Sequence, residues 1–350
     1  MRNKLPLYRD DGRIAETLSE SQARSLKHLR DDIASQKLHL VSNHCICNNK
    51  HPEHDIVISE KDRYGLPIPQ ILCSHCGIIR SKYVFNETSN DLFYESYYRS
   101  VYSSGMSLDD FFNNWQLYQG NHFIRLLKDY NVFKDISNVV EVGCGAGGIL
   151  LPFKKAGKNV CGYDFDIDYL SYGKSKGIET KYGDWYVQTA ENSCDLIILS
   201  HVLEHFLNPV VELKKIISKI KIGKYLMIEV PGILNIHNAY ESPILYFQNA
   251  HVYNFYEQSL RVFFTKLGLK VVHGDEFCTF ICQKTSNENP DISFIYDNSL
   301  ANYPQKIANY LIQTKKTFDR KNKKTIKKKL FDLACIFGWK KIRPYIKHKQ

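Results

Sequence analysis

The stretch VVEVGCGAGG (139–148) sets four glycines, Gly143, Gly145, Gly147 and Gly148, behind an apolar run that carries Glu141. Glycine costs backbone entropy in a folded element, so such a cluster marks backbone that turns sharply or approaches a ligand. Two further places offer acid–base chemistry. HVLEH supplies His201, Glu204 and His205, which share one face if the segment is helical. AHVYNFYEQSL (250–260) supplies His251 among aromatic residues suited to stacking. Histidine accepts protons near neutral pH. Glu204 and His205 also suit metal-assisted activation of a hydroxyl, or plain packing of a turn.

A third group is built from cysteine. Cys73-Ser74-His75-Cys76-Gly77 is a C-x-x-C-G knuckle, and Cys45 and Cys47 lie upstream of it. Two such pairs make a tetrahedral site for structural zinc. Cys47, Cys73 and Cys76 are three of the expected ligands. The fourth is Cys45 or His44, because Cys45 and Cys47 are one residue closer than the usual pair; His51 and His54 are more distant candidates. Cys144, Cys161, Cys194, Cys278, Cys282 and Cys335 read as small buried hydrophobes.

The elements that must position these groups are legible from 136 onward. NVVEV is a short strand, the glycine turn follows, and a helix through ILLPFKKA stops at Gly157. NVCGYD, IETKY, CDLIILS and KYLMIEV read as four more strands. Asp166 or Asp168 caps the helix after the second strand, and Asn208-Pro209 opens another. After an insertion come the helix EQSLRVFFTKLG and two late strands, LKVVHGDE and TFICQK, spaced as an antiparallel hairpin. Strands alternating with helices predict a parallel sheet covered on both faces. In such a sheet the first strand-to-helix turn is where ligands bind.

The glycine turn satisfies both G-x-G-x-x-G and, from Glu141, E-x-G-x-G-x-G. Asp164 ends the second strand and can accept both hydroxyls of a ribose, as in a nicotinamide dinucleotide or S-adenosylmethionine. Gly183-Asp184-Trp185 ends the third strand, where an acid and an aromatic can bond and cover an adenine. With CDLIILSHVLEHFLNP at the next strand end, the region 136 to about 285 resembles the class I S-adenosylmethionine-dependent methyltransferases. The resemblance implies that Glu141, Gly143, Gly145 and Gly147 line the methionine and ribose side. It implies that Asp164 holds the ribose diol, Asp184 and Trp185 contact adenine, and Ser200 and His201 border the sulfonium.

DRYGLPIPQILCSHCGIIRS followed by FYESYYRS is similar to the zinc-knuckle region of three-part sugar methyltransferases. That likeness implies an N-terminal part and an insertion that wall the acceptor pocket. The carbon-methylating members carry Glu-His where this chain has Ala250-His251, which leaves O-methylation with His251 as base. Arg99, Tyr97 and Tyr98 are candidates for the pocket wall.

The expected fold class is α/β: a Rossmann-like seven-stranded methyltransferase sheet with an N-terminal zinc-knuckle subdomain and a basic helical C-terminal tail. The expected division is a helical lead-in (1–38), the zinc knuckle (39–88), an aromatic helical linker and pocket wall (89–135), the methyltransferase domain (136–300) and a basic amphipathic tail (301–350). The net charge of +10 is concentrated in the tail. From Lys306 onward there are 15 Lys/Arg and two Asp/Glu, so the rest of the chain is slightly acidic. Lysines interleaved with Ile326, Leu330, Leu333, Ile336, Phe337 and Trp339 suit an anionic membrane surface.

No apolar leader and no membrane-length apolar run is present, which predicts a cytoplasmic protein, and the basic tail suits peripheral contact with the inner membrane face. The expected cofactors are S-adenosylmethionine and structural zinc. The expected acceptor is a sugar hydroxyl in a nucleotide sugar, lipid-linked glycan or surface polysaccharide. An RNA methyltransferase and a non-catalytic cofactor-binding partner in a biosynthetic complex are the alternatives. The near-neutral body and the lack of an Asn-Pro-Pro-Tyr-like signature argue against nucleic acid.

Overall fold

The computed structural model describes residues 5–102, 106–288, 290, 292 and 295–336, with side chains through 323. Seven strands form the central sheet: β1 (Asn138–Val142), β2 (Asn159–Asp164), β3 (Thr180–Tyr182), β4 (Cys194–Ser200), β5 (Ile220–Glu229), β6 (Leu269–Gly274) and β7 (Thr279–Lys284). Their order is β6-β7-β5-β4-β1-β2-β3. Strands β5, β4, β1, β2 and β3 pair in parallel, and β7 runs antiparallel to both β5 and β6. The late hairpin expected from the sequence is therefore present.

Strand β4 is buried along its whole length. Its side chains alternate between two cores, as the two-residue period of a strand requires. Leu196 and Ile198 join the helices Leu117–Asp129 and Leu150–Lys155 through Phe123, Leu127, Leu150 and Phe153. Ile197 and Leu199 join the helices Pro209–Lys219 and Glu257–Lys266 through Leu213, Ile216, Leu260 and Phe263. Asp195 is a buried charge within this strand. It accepts from the Ser137 and Asn138 amides at 2.9 Å and pairs with Lys221 at 2.9 Å, which offsets its desolvation. Asp166 is the cap of Ile167–Ser175, and Asn208 caps Pro209–Lys219.

The N-terminal part makes a second, four-stranded antiparallel sheet. Ile56–Ser59, Gln70–Leu72 and Ile79–Ser81 are joined at the edge by Tyr253–Asn254, which comes from the insertion after β5. The helix Glu20–Ala34 starts in a capping box of Ser19 and Gln22. It buries Leu26 and Leu29 against Phe93 and Val101, while Ala23 is exposed. Residues 87–102 and 108–129 are helical, with wide π-type turns at Tyr94–Tyr98 and Phe111–Gln116.

The long helix Tyr303–Ile336 packs one face of its first turns against the body. Ile307, Ala308, Leu311 and Ile312 are buried, and Tyr303 stacks on Tyr256 with ring centres 4.4 Å apart. The side chains of Ile326, Leu330, Leu333, Cys335 and Ile336, and all of Phe337 and Trp339, lie outside the described residues. Among the described residues no helix is long and apolar enough to cross a membrane.

Gly120 fixes how closely the helix Leu117–Asp129 approaches the glycine turn. A Cβ there would lie 2.3 Å from the Ile149 carbonyl oxygen. Alanine normally favours a helix interior by about 1 kcal/mol over glycine. Backbone cannot yield that much space, so the clash wins. Gly120→Val is expected to lower stability by about 1–3 kcal/mol, read from the urea unfolding midpoint; an unchanged midpoint would contradict this packing.

Candidate active site

The glycine turn leaves β1 with Gly143, Gly145 and Gly147 at φ +69°, +51° and +74°. All three sit in the left-handed region that side chains rarely adopt. Two groups hold the turn from outside. Gln116 donates to the Cys144 carbonyl at 2.8 Å and accepts from the Gly148 amide at 3.0 Å. Asp164 accepts from the Gly145 amide at 2.7 Å. Gln116 was not foreseen from the sequence. Its signal is only its spacing from Gly120 on one helix, which becomes meaningful once that helix is known to pack on the turn.

Glu141 is 1% exposed, and its Oε2 has no hydrogen-bond partner. Burial, and then the nearby Asp164 charge, push its carboxyl well above the usual range. Ser200, at the end of β4, is buried with its hydroxyl unpartnered. Two orphaned polar groups flanking a glycine cradle fit a polar ligand such as the methionine end of S-adenosylmethionine. Asp164 sits at the end of β2, with its second oxygen accepting from the Phe165 and Asp166 amides. Asp184 is exposed and caps the short helix Trp185–Gln188 through the Tyr186 amide. Trp185 is buried in the core, edge-on to Tyr186.

Arg99 is engaged by carboxylates. It lies 3.2 Å from Asp166 and 3.7 Å from Asp164, with its guanidinium 4.2 Å over the Tyr169 ring. Tyr97 turns away and donates to Asp32 on the lead-in helix. Tyr94 and Tyr98 of the same segment instead meet His205, Tyr94 through its hydroxyl at 3.0 Å.

Beyond Ser200 the chain makes a bend and a single 3-10 turn, Leu203–His205, instead of a regular helix. His201 has φ +56°, strained for a residue with a side chain. The bend still brings the candidate histidines together. Glu204 Oε1 lies 3.5 Å from His201 Nδ1, 3.9 Å from His205 Nε2 and 3.9 Å from His251 Nε2. Glu204 is 1% exposed; burial would raise its pKa, but the three imidazoles outweigh that and hold it at about 2. Burial lowers the His201 pKa, yet Glu204 and Glu229 raise it on balance. His205 and His251 are lowered, first by burial. His201 is the more exposed ring, tilted against the exposed Trp115 at 5.6 Å, and Trp115 stacks on Phe111.

The cysteine cluster closes on four sulfurs. Cys45 is 3.5 Å from Cys76, Cys47 is 3.5 Å from Cys73, and all four thiols lie within 4.8 Å of one another and are buried. Tetrahedral zinc with Zn–S bonds of about 2.3 Å spaces its sulfurs by roughly 3.8 Å. The group is thus compatible with zinc, with Cys45 rather than His44 at the fourth corner. His51 and His54 are exposed and stack on each other, apart from the cluster. Gly77, at φ +79°, turns the knuckle so that its amide donates to the Cys73 carbonyl at 3.0 Å. Cys144, Cys194, Cys278 and Cys282 are buried as expected, and Cys161 partly so.

Residues 117–274 match the family model described as "Methyltransferase domain". That match covers under half of the chain and spans the glycine turn and Asp164. Solved structures similar to the chain include a SAM-dependent methyltransferase from Archaeoglobus fulgidus (22% identity, 46% of this chain and 72% of that one, TM-score 0.38). Another is a SAM-dependent methyltransferase from Aquifex aeolicus (16%, 49% and 92%, TM-score 0.38). A third is the [4+2]-cyclase SpnF (16%, TM-score 0.29), of which the chain spans 44% while 31% of this chain is covered. No curated protein matches the chain.

Two predictions come from this geometry. Asp164→Ala removes a charge-assisted bond to the Gly145 amide, worth about 1.5–3 kcal/mol. Titration calorimetry with S-adenosylmethionine should show affinity reduced roughly 10- to 100-fold; unchanged affinity would remove Asp164 from the cofactor site. Asp62 gives a pH signature. It is fully buried and accepts from the Tyr64, Leu66 and Asn249 amides, and burial pushes its carboxyl up to about 6. Its folded pKa exceeds the unfolded one, so the folded state binds the extra proton between about pH 4 and 6. Its contribution to stability therefore falls as pH rises through that window, by on the order of 3 kcal/mol. The stability of the native protein relative to Asp62→Asn should decline from pH 4 to pH 7 in urea melts.

Proposed function

We propose that the protein is an S-adenosylmethionine-dependent O-methyltransferase acting on a sugar hydroxyl, in a nucleotide sugar, lipid-linked glycan or surface polysaccharide. The observation that carries this reading is the setting of His201. Its ring lies at the end of β4, between the carboxylates of Glu204 and Glu229 (3.5 and 3.7 Å), beside the exposed Trp115, which stacks on the half-buried Phe111. Aromatic faces of that kind stack on the C–H surface of a sugar ring.

The sulfonium supplies an activated methyl group. The protein's residues then have two tasks: to place the acceptor oxygen in line and to take its proton. Trp115 and Phe111 orient the ring. His201 receives the hydroxyl proton, and the two carboxylates beside it stabilise the imidazolium that forms. This assignment differs from the choice of His251 because His251 is only 4% exposed, whereas the His201 side chain is 35% exposed. Glu141, Ser200 and the glycine turn hold the cofactor's polar end. The four cysteines would hold a structural zinc.

The test is transfer of labelled methyl from S-adenosylmethionine into an extract of the host cell, followed by separation of glycan, nucleotide-sugar and RNA fractions. Label should appear in glycan or nucleotide sugar; label in RNA instead would overturn the sugar reading. His201→Ala should lower kcat about 10²–10⁴-fold with cofactor affinity unchanged. A joint loss of both would move His201 out of the proton-accepting role.

A further inference from the structure

The cluster behind His201 has more ligating capacity than a proton transfer uses. Ligand atoms of Glu204, His205 and His251 lie within 4.8 Å of one another. Glu204 and His251 are nine-tenths or more buried. Neither Glu204 oxygen has a hydrogen-bond partner, and His251 Nδ1 has none either. A charge-assisted bond between imidazole and carboxylate closes to about 2.7–2.9 Å. Here the three rings stop at 3.5 to 3.9 Å from a single oxygen. Ligands around a divalent ion with bonds of about 2.0–2.2 Å stand roughly 3–4 Å apart, which is this spacing.

The surroundings fix the ring orientation such a site needs. His205 Nδ1 lies 3.0 Å from the Ala250 carbonyl, to which it can donate, and 3.0 Å from the Tyr94 hydroxyl. That tautomer leaves Nε2 with a free lone pair on the Glu204 side, the outer-shell support typical of ligating histidines. The Gln248 amide touches His251 Nε2 and must turn to admit an ion. Two imidazoles and one carboxylate select a first-row transition ion rather than magnesium or calcium, which prefer oxygen alone.

We propose that Glu204, His205 and His251 bind a divalent transition-metal ion whose remaining coordination positions face His201. On the methyl-transfer reading above, on which this role rests, the ion lowers the pKa of the acceptor hydroxyl and so eases proton transfer to His201.

Ion binding is tested without substrate or cofactor, so its failure is distinct from failure of the functional reading. Full-length protein is equilibrated with Co²⁺, freed of excess ion, and its metal counted per chain by mass spectrometry with the absorption spectrum recorded. A thiolate site shows sulfur-to-cobalt charge transfer, and an imidazole–carboxylate site shows only visible ligand-field bands. Glu204→Gln should carry one ion fewer per chain than the unaltered protein and lose only the ligand-field set. Cys73→Ser should lose the charge-transfer set instead. His251→Asn repeats the first measurement should Glu204→Gln fail to fold. Equal metal content in the unaltered protein and the Glu204 or His251 variant, or cobalt bands of thiolate type alone, would overturn the proposal.

Discussion

A carboxylate buried to 1% exposure needs polar company, and in this protein part of that company arrives from distant parts of the chain. Glu204 follows β4, His251 lies in the insertion after β5, and Tyr94, which bonds His205, lies in the aromatic helical segment ahead of the sheet. Gathering imidazoles around one carboxylate therefore ties the positions of three segments together. The Glu204 carbonyl adds a further tie by accepting from the Val252 amide at 2.8 Å. Removing the charge would relieve a desolvation cost and release the segments that it gathers.

The glycine turn depends on a similar economy of contacts. Its backbone shape is permitted by glycine but held in place by Gln116 and Asp164, on elements before and after it. One side chain comes from the helix packed on the turn, and the other from the end of the neighbouring strand. The cradle is thus preorganised by parts of the fold that carry no glycine at all.

Much of this was legible in the sequence because its periodicities are local. The seven strands of the main sheet, the helix caps at Asp166 and Asn208 and the late hairpin are recorded in short windows of apolar spacing and turn residues. The cysteine group was legible to three ligands, and the choice of Cys45 over His44 needed the three-dimensional closure of the sulfurs. HVLEH displayed its three polar residues, but its meeting with His251 spans more than forty positions and has no local signature. Arg99 and Tyr97 were placed at the pocket by residue type alone; their partners, Asp164, Asp166 and Asp32, come from folding. The burial of Ile307, Ala308, Leu311 and Ile312 was hidden by the lysine-rich sequence that follows them.

Tyr253–Asn254 pairs with Ile79–Ser81, so a segment inside the methyltransferase region completes the sheet of the cysteine lobe. The two lobes therefore share a strand, and neither is self-contained at its edge. A core cut out along the family boundaries would expose a lone strand with unpaired amides and carbonyls, the kind of edge that templates association. A transplant of the cysteine lobe must then carry the insertion strand with it. They form one structural unit, written in two separate stretches of the chain.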